Sequence, residues 1–351
     1  MDQMIAQAVE QWLRDACTPA AVRALEADPR PDHPLCLSLL ATGLADALVP
    51  EAEDGAGLGL QEAYSLVELC GRFALPMPLA ETWLVRGWLA HAGMARPAGL
   101  LTMATALRDG KGDDKGDGNA SAIRARDVRG ARFAQAVLVE VGHETRLLTV
   151  AQAQPMTDVE GPDATLTWSR DAWQAAPALV PPEGSGWSVR VGQALVYAAL
   201  LAGAMQEVFR RSLDYANERQ QFGKPIGKFQ AIQHQLSVMS EQVVSARMAA
   251  QLAYSGPTPW PDATRTAIAK ARASEASVEV GALGHSIHGA IGFTAEFDLQ
   301  LYTRRLQLWR QTAGAEGYWH DCVGAALLRQ PVSTLDFLRH HTDAGIDAAV
   351  H

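Results

Sequence analysis

A short polar segment between two amphipathic stretches holds the side chains that are best suited to chemistry. It carries a fixed cation at Arg219, an aromatic ring at Phe222, and amides at Gln220, Gln221 and Gln230. An arginine offers a bidentate fork to a diphosphate, and a phenylalanine ring offers a face for stacking. The set therefore fits an anionic, partly aromatic ligand. Taken alone, these residues also fit surface charge and core packing at a turn between helices, which is the commoner case.

The two stretches that flank this segment predict an antiparallel pair of helices. Gly223 and Pro225 end the first helix, because glycine takes positive φ at little cost and proline restricts the residue before it. Apolar residues recur at helical spacing on both sides of the turn. Those of the first helix are Leu195, Ala199, Ala202, Met205, Phe209 and Leu213, and those of the second are Phe229, Ile232, Leu236, Met239, Val243, Ala246 and Ala250. Two such helices joined by a tight turn form a helical hairpin.

The string Glu-Arg-x-Gln-Phe-Gly-x-Pro-Ile-x-x-Phe-Gln-x-x-x-His spans residues 218–234. Its residue types and spacing resemble the signature of the flavin-dependent acyl-CoA dehydrogenase family. The resemblance implies that this segment contacts FAD across a subunit interface. The residues it implies for this contact are Arg219, Gln221, Phe222, Phe229 and Gln230, with Ile226 packing on the cofactor.

A second segment, His285-Ser-Ile-His-Gly-Ala-Ile-Gly-Phe-Thr-Ala-Glu296, is rich in small residues that allow close backbone approach by a helix or a ligand. Packing is the default interpretation. The segment resembles the family motif Gln-x-x-Gly-Gly-x-Gly-Phe-x-x-Glu, which meets the ADP half of an FAD that is bound mainly by the neighbouring subunit. The resemblance implies contacts at Ser286, Gly289 and Ala290. Ser286 stands where glutamine is usual, and Ala290 stands where the second glycine is usual, so the diphosphate contacts would be altered.

The resemblance also indicates where a catalytic base should lie. Dehydrogenation of a thioester needs a carboxylate for the α-proton, a flavin for the β-hydride and hydrogen bonds to the thioester oxygen. Most of the family places this carboxylate in a Tyr-Glu-Gly-Thr string, and the ungapped register puts Ala313 there. Glu316 takes the role if the loop is three residues longer; otherwise it is a solvated charge or a cap at a helix end. Some other members take the base from an earlier helix, and the corresponding position in this sequence is Gln193, which is not a base either.

A family fold without an assured base resembles one chain of the bacterial heteromeric acyl-CoA dehydrogenases, in which two related subunits share each flavin site. Two functions follow from the resemblance. One is FAD-dependent α,β-dehydrogenation of an acyl-CoA thioester, an oxidoreductase reaction on a CH–CH donor in lipid metabolism, with Glu316 as base and an electron-transfer flavoprotein as oxidant. The other is a catalytically silent partner subunit that completes the FAD site of a related chain.

Assembly as a homo-oligomer or a hetero-oligomer is expected. A flavin-independent helical interaction protein is the third alternative.

Bulk composition excludes several function classes. Of the 351 residues, 48% are hydrophobic and 20% are charged. The net charge of −9 argues against general binding of nucleic acid. Four scattered cysteines without metal-ligand spacing predict buried thiols in a reducing cytoplasm. No signal-peptide pattern is present at the N-terminus, and the apolar run at 194–204 is too short to span a bilayer.

Two other groups of residues have spacings that could form a site. His285 and His288 share one helical face, but no nearby cysteine or carboxylate completes a metal site, so packing or exposure to solvent is favoured and no metal is expected. His234, Ser237 and Glu241 lie at helical spacing. A serine on a helix has no oxyanion hole there, which argues against a hydrolase.

The predicted fold is mostly α-helical with a small β-domain, and it divides into three parts. These are an N-terminal helical domain at 1–98, a middle β-domain at 99–184 and a C-terminal four-helix bundle at 185–345. Within the β-domain, runs at 136–141 and 146–150 flank a glycine turn and predict a hairpin, and Ala164–Trp168 predicts a further strand. Residues 109–118 form a low-complexity loop. The resemblance implies that the β-domain is a barrel.

Overall fold

The computed structural model describes residues 2–108, 122–154, 161–294 and 296–342, so the predicted low-complexity loop at 109–118 lies outside the described residues. The N-terminal helices are α1 (Asp2–Ala16), α2 (Pro19–Ala27), α3 (Pro34–Ala41), α4 (Leu60–Arg72) and α5 (Leu79–His91). The strands that follow are β1 (Leu100–Thr105), β2 (Leu107–Arg108), β3 (Ile123–Val128), β4 (Ala134–Val141), β5 (Glu144–Thr149) and β6 (Ala164–Trp168).

The C-terminal half is helical apart from one two-residue ladder. Its elements are α6 (Arg170–Ala175), α7 (Val189–Glu218), β7 (Gln220–Gln221), β8 (Lys224–Pro225), α8 (Gln230–Tyr254), α9 (Ala263–His288), α10 (Leu299–Gln311), α11 (Glu316–Leu328) and α12 (Thr334–Thr342). The chain packs as two compact units. One comprises Met1–Gly59 and Leu75–Gln193, and the other comprises Leu60–Ala74 and Ala194–His351. The three-domain division at 98 and 184 remains a prediction.

In the first unit, β6 and the start of β3 alternate between buried and more exposed residues, whereas β1 and β4 are buried along most of their length. β4 and β5 form the predicted antiparallel hairpin, in which Val141 pairs with Glu144 across a turn at Gly142 with φ +65°. β1 adds to β4 in parallel, and β3 lies between β2 and β6 in a second sheet. Apolar residues from both sheets, among them Val137, Leu148 and Leu166, share one buried cluster. The predicted hairpin and strand are therefore confirmed.

The predicted closed barrel is not found in this β-region. The described strands form two separate three-stranded sheets, β1-β4-β5 and β2-β3-β6, and a two-stranded ladder elsewhere in the chain. Among the described residues, β2 comprises two residues and no strand joins the two sheets. The region is therefore a small β-domain built on a shared apolar core, which is the coarser form of the prediction.

The second unit is a helical bundle around α9. α9 packs against α8, α10 and α11, and α4 packs against α8. α9 begins at a strong cap, since the Asp262 carboxylate accepts a hydrogen bond from the Arg265 amide at 2.7 Å. The part of α7 from Ala194 onward joins this bundle, as the Tyr254 hydroxyl donates to the Leu195 carbonyl at 3.4 Å. The predicted C-terminal helical bundle is confirmed.

Among the described residues, one helix, α7, is long and apolar enough to cross a membrane by length and composition. Of its most apolar window, 94% is buried inside the protein. Such burial is typical of the core helix of a globular bundle.

Two glycines allow α4 and α7 to cross at backbone contact. A Cβ atom on Gly203 would lie 2.0 Å from the Glu68 carbonyl oxygen, and one on Gly71 would lie 2.2 Å from the Leu200 carbonyl oxygen. Both obstacles are backbone atoms, so no side-chain movement can relieve the overlap. The bundle therefore depends on glycine at this crossing.

We expect Gly203→Ala to lower the free energy of unfolding by about 3 kcal/mol, because the two helices must move apart. Gly324→Ala is the matched control, since a Cβ on Gly324 in α11 would meet no atom within 4 Å. That variant should be neutral or more stable by up to about 1 kcal/mol. Urea unfolding of both variants measures the difference. Equal stabilities would contradict the packing at this crossing.

Candidate flavin-interface site

The polar segment between α7 and α8 folds as a tight hairpin. Gln220 pairs with Pro225 and Gln221 with Lys224, and the two residues of the turn, Phe222 and Gly223, have φ of +51° and +78°. Positive φ at both positions belongs to the turn type that matches the twist of a two-residue β-hairpin. It is strained for a bulky residue such as phenylalanine. The fold thus holds Phe222 in an unfavourable backbone conformation.

That conformation directs the Phe222 side chain away from the helices. The ring is 92% exposed, and its centroid lies 6.1 Å from that of Phe229 in an edge-to-face arrangement. The Lys224 ammonium lies 4.4 Å over the Phe229 ring, within the range of a cation–π interaction. The hairpin therefore presents two aromatic rings in contact and a cation over one of them, Phe229.

The ends of the hairpin are fixed by main-chain hydrogen bonds. The Ile226 amide donates to the Arg219 carbonyl, and the Arg219 amide donates to the Tyr215 carbonyl, both at 2.8 Å. The exposed Arg219 guanidinium forms no ion pair or side-chain hydrogen bond with any residue in the described ranges. Residues 219–229 contain three cations and no carboxylate, in a chain of net charge −9. This local charge fits an anionic ligand.

The second predicted segment lies beside the start of α8. Ser286 in α9 accepts a hydrogen bond of 3.2 Å from Nε2 of Gln235 in α8. α9 ends at Gly289, whose φ is +64° and where a Cβ would meet no atom within 4 Å. Ser286, Gly289 and Ala290 are all exposed. Ser286 is thus held by Gln235, a residue of the neighbouring helix that the sequence analysis did not single out, with open space at the end of α9.

The two predicted packing histidines are held by aromatic rings. His285 stacks on Phe293 at a centroid distance of 4.1 Å, and its Nε2 lies 3.0 Å from Thr303 Oγ1. His288 stacks on Tyr215 at 4.5 Å, and burial lowers the pKa of both imidazoles. Across the described part of the chain, no three histidine, cysteine or acidic side chains are grouped to hold a metal.

The proposed base Glu316 is the first residue of α11, and its carboxylate is engaged. Arg310 Nε donates to Glu316 Oε2 at 2.8 Å, and Arg310 Nη2 donates to the other carboxylate oxygen. These bonds hold the pKa of Glu316 below its usual value, although burial partly opposes them. A general base works best with a pKa near the operating pH. The arrangement makes Glu316 a weak proton acceptor.

The structure reveals one buried cation that the sequence analysis missed. Lys270 of α9 is fully buried, and its ammonium donates to the carbonyl oxygens of Arg310 at 2.8 Å, Gly314 at 3.1 Å and Trp309 at 3.2 Å, and to Ser274 Oγ at 2.8 Å. Free carbonyls at a helix C-terminus attract cations. Lys270 therefore holds the end of α10 and the loop at Ala313. The sequence feature that could have revealed it is that Lys270 lies on the same face of α9 as the small residues Ala267, Ala273 and Ser277.

Comparison with known proteins settles the family. Residues 186–328 match the C-terminal domain of acyl-CoA dehydrogenases. Acyl-CoA dehydrogenase IpdE2 of Mycobacterium tuberculosis is 30% identical over 305 residues, which cover 86% of this chain and 90% of that protein. The chain belongs to the acyl-CoA dehydrogenase family. The enzyme class that the sequence predicted, an FAD-dependent oxidoreductase acting on CH–CH donors, is confirmed by this membership.

Solved structures show the same fold. The ChsE4–ChsE5 complex from Mycobacterium tuberculosis superimposes with a TM-score of 0.77 at 21% identity, covering 94% of this chain and 98% of that one. Butyryl-CoA dehydrogenase from Megasphaera elsdenii gives a TM-score of 0.73 at 17% identity, with coverages of 93% and 98%. These likenesses confirm an acyl-CoA dehydrogenase fold.

Within this acyl-CoA dehydrogenase, neither position predicted from the family register carries a carboxylate. Ala313 lies in the loop between α10 and α11 with φ +63°, and an alanine side chain cannot accept a proton. Gln193 is buried, and its Nε2 donates to the Met103 carbonyl at 2.8 Å, so its amide has a structural role. The base assignment to Glu316 remains a prediction.

We expect Lys270 to make stability depend on pH. Burial lowers its pKa to about 7, from 10.5 in an exposed lysine. Between these values the unfolded chain binds more protons than the folded chain, so the free energy of unfolding should rise with pH by up to about 1.4 kcal/mol per unit. Lys270→Met should flatten this slope.

Urea unfolding at several pH values between about 7.5 and 9.5 measures the slope. Lys228→Met is the matched control, because Lys228 is exposed in the hairpin. It should keep the slope of the unsubstituted protein. Parallel curves for all three proteins would show that Lys270 does not titrate in this range.

Proposed function

We propose that this chain takes part in FAD-dependent α,β-dehydrogenation of an acyl-CoA thioester, and that its 219–230 hairpin binds the flavin dinucleotide. The observation that carries the proposal is the hairpin itself. It holds Phe222 at a strained φ with a 92% exposed ring, beside Arg219, which forms no ion pair within the described part of the chain. Strain and apolar exposure of this kind mark functional surfaces that a ligand or a partner covers.

Each side chain of the hairpin fits part of that ligand. Arg219 presents its guanidinium for a bidentate contact with the diphosphate. Phe222 and Phe229 would offer apolar faces, Ile226 would pack on the cofactor, and the exposed amides of Gln221 and Gln230 would add hydrogen bonds. Ser286, Gly289 and Ala290 allow close approach of the nucleotide half. When bound, FAD supplies the hydride acceptor of the reaction.

The exposure of these residues supports a site shared between subunits. We propose that the flavin is held mainly by a neighbouring subunit, either a related chain or a second copy, and that an electron-transfer flavoprotein reoxidises it. The ChsE4–ChsE5 structure is that of a complex of two chains. No disulfide joins the described cysteines, which fits the expectation of a reducing cytoplasm; Cys17, Cys36 and Cys70 are buried as predicted, whereas Cys322 is only half-buried.

Arg219→Ala should lower FAD affinity about 10- to 100-fold, because it removes charge-assisted bonds to the diphosphate. Arg219→Lys keeps the charge but loses the bidentate fork, so a smaller loss is expected. Arg170→Ala is the control, since Arg170 is an exposed cation in α6. Equilibrium titration of the apo-assembly with FAD provides the measurement. Equal affinities for all the variants would remove Arg219 from the site.

A second candidate function is that of a silent partner, which supplies the hairpin while a related subunit supplies the base. The Glu316–Arg310 ion pair favours it over a chain whose own Glu316 takes the α-proton, because that pair keeps the carboxylate ionised and weakly basic. Ala313 also favours the partner role, because it stands where most of the family has the catalytic carboxylate. On this account Glu316 stabilises the start of α11 through its bond to Arg310.

Glu316→Gln should leave turnover of the flavin-loaded assembly within about twofold of the parent, because the carboxylate is not the base. Arg310→Gln is the matched control, since it breaks the same ion pair and keeps the carboxylate. Both variants should lower the unfolding temperature alike. Loss of turnover in Glu316→Gln alone, with flavin retained, would establish Glu316 as the base and overturn the partner role.

A further inference from the structure

A buried amide atom without a partner lies beside the second flavin-interface segment. Gln235 of α8 donates through Nε2 to Ser286 Oγ, which leaves its Oε1 for another contact. That oxygen is buried and has no hydrogen-bond partner among the described residues. A buried polar atom left unpaired costs about 1–3 kcal/mol. Such atoms in native structures usually serve a bound molecule or an ordered water.

The orientation of the amide does not remove this requirement. A half-turn of the Gln235 side-chain amide exchanges its oxygen and nitrogen. The Ser286 hydroxyl can donate as well as accept, so it can bond either atom, and the other atom stays unpaired. A hydroxyl group of a ligand fits both orientations for the same reason.

Open space adjoins the pair on the α9 side. Ser286 is exposed, and Gly289 follows it by one helical turn with φ +64°. A Cβ at Gly289 would meet no heavy atom within 4 Å, so the protein itself does not fill this position. Nδ1 of His285, next to Ser286, is a second buried polar atom without a described partner. The end of α9 thus combines access with unmet hydrogen-bonding capacity.

We infer that Gln235 is a further binding residue for the nucleotide half of the flavin dinucleotide, acting from α8 beside the short side chain of Ser286. The inference rests on the proposed function, which brings that half to this end of α9. A glutamine on the neighbouring helix can reach the ligand where serine at position 286 is too short. The ligand group is a sugar hydroxyl of the ADP moiety, since a hydroxyl satisfies the amide in either orientation.

The test compares Gln235→Met with Gln251→Met in the full chain, assembled with its related subunit where that is needed to hold flavin. Methionine keeps the length of the side chain and removes the amide. Gln251 is exposed on the same helix, far from Ser286, and serves as the matched control. The probes are FAD, ADP as a competitor of FAD, and FMN, which lacks the adenosine and one of the two phosphates.

Gln235→Met should weaken binding of FAD and of ADP about five- to tenfold, the effect of one lost hydrogen bond, and leave FMN affinity unchanged. Gln251→Met should behave as the parent. Adding Ser286→Gln to Gln235→Met should restore part of the ADP affinity, because the longer side chain brings an amide to the vacated place. This rescue also shows that the single variant is folded.

Unchanged ADP competition in Gln235→Met, with only a lower unfolding temperature, would show that the bond to Ser286 is purely structural and would overturn the inference. Equal losses for FMN and FAD would overturn it too, since the contact would then not be with the nucleotide half. A parent assembly that binds no FAD would overturn the proposed function together with this inference.

Discussion

The connection between α7 and α8 reverses the chain through two residues, and this constraint determines what the surface can bind. Positive φ at both Phe222 and Gly223 closes the β7–β8 ladder and leaves the phenylalanine ring outside the bundle. The same reversal sets Arg219 and Lys224 on one exposed hairpin without a carboxylate among residues 219–229. A change at this turn would therefore move every proposed flavin contact of the hairpin together.

A second constraint acts at the far end of the bundle. Lys270 places a cation among the terminal carbonyls of α10 and the Gly314 carbonyl, and Arg310 binds Glu316 at the start of α11. The loop between these helices is thus held from both sides, with Ala313 where a carboxylate was expected. Because position 313 holds an alanine and Glu316 is bound by Arg310, we propose that this loop serves a shared site whose base lies in another subunit.

The sequence was informative where patterns are long or local. Stripes of apolar residues predicted α7 and α8, and a glycine between two β-branched runs predicted the β4–β5 hairpin. It was silent on Lys270, because a lysine in a helix is usually solvated and only the fold shows which carbonyls surround it. The β7–β8 ladder is too short to leave a periodic pattern. The barrel implied by the resemblance was not found among the described strands. The sheets pair strands that are far apart in the sequence, and such pairing leaves no local pattern. The sequence motif identified the residues of the proposed FAD contacts, whereas only the structure showed that they are exposed.

The central claim is that the exposed hairpin completes an FAD site across a subunit interface. The most direct measurement is the visible absorption spectrum of the purified chain alone and after co-expression with its related subunit, with the mass of each assembly determined alongside. The account predicts flavin absorbance in an assembly and none in the monomer. A colourless assembly, or a monomer that retains flavin, would contradict it.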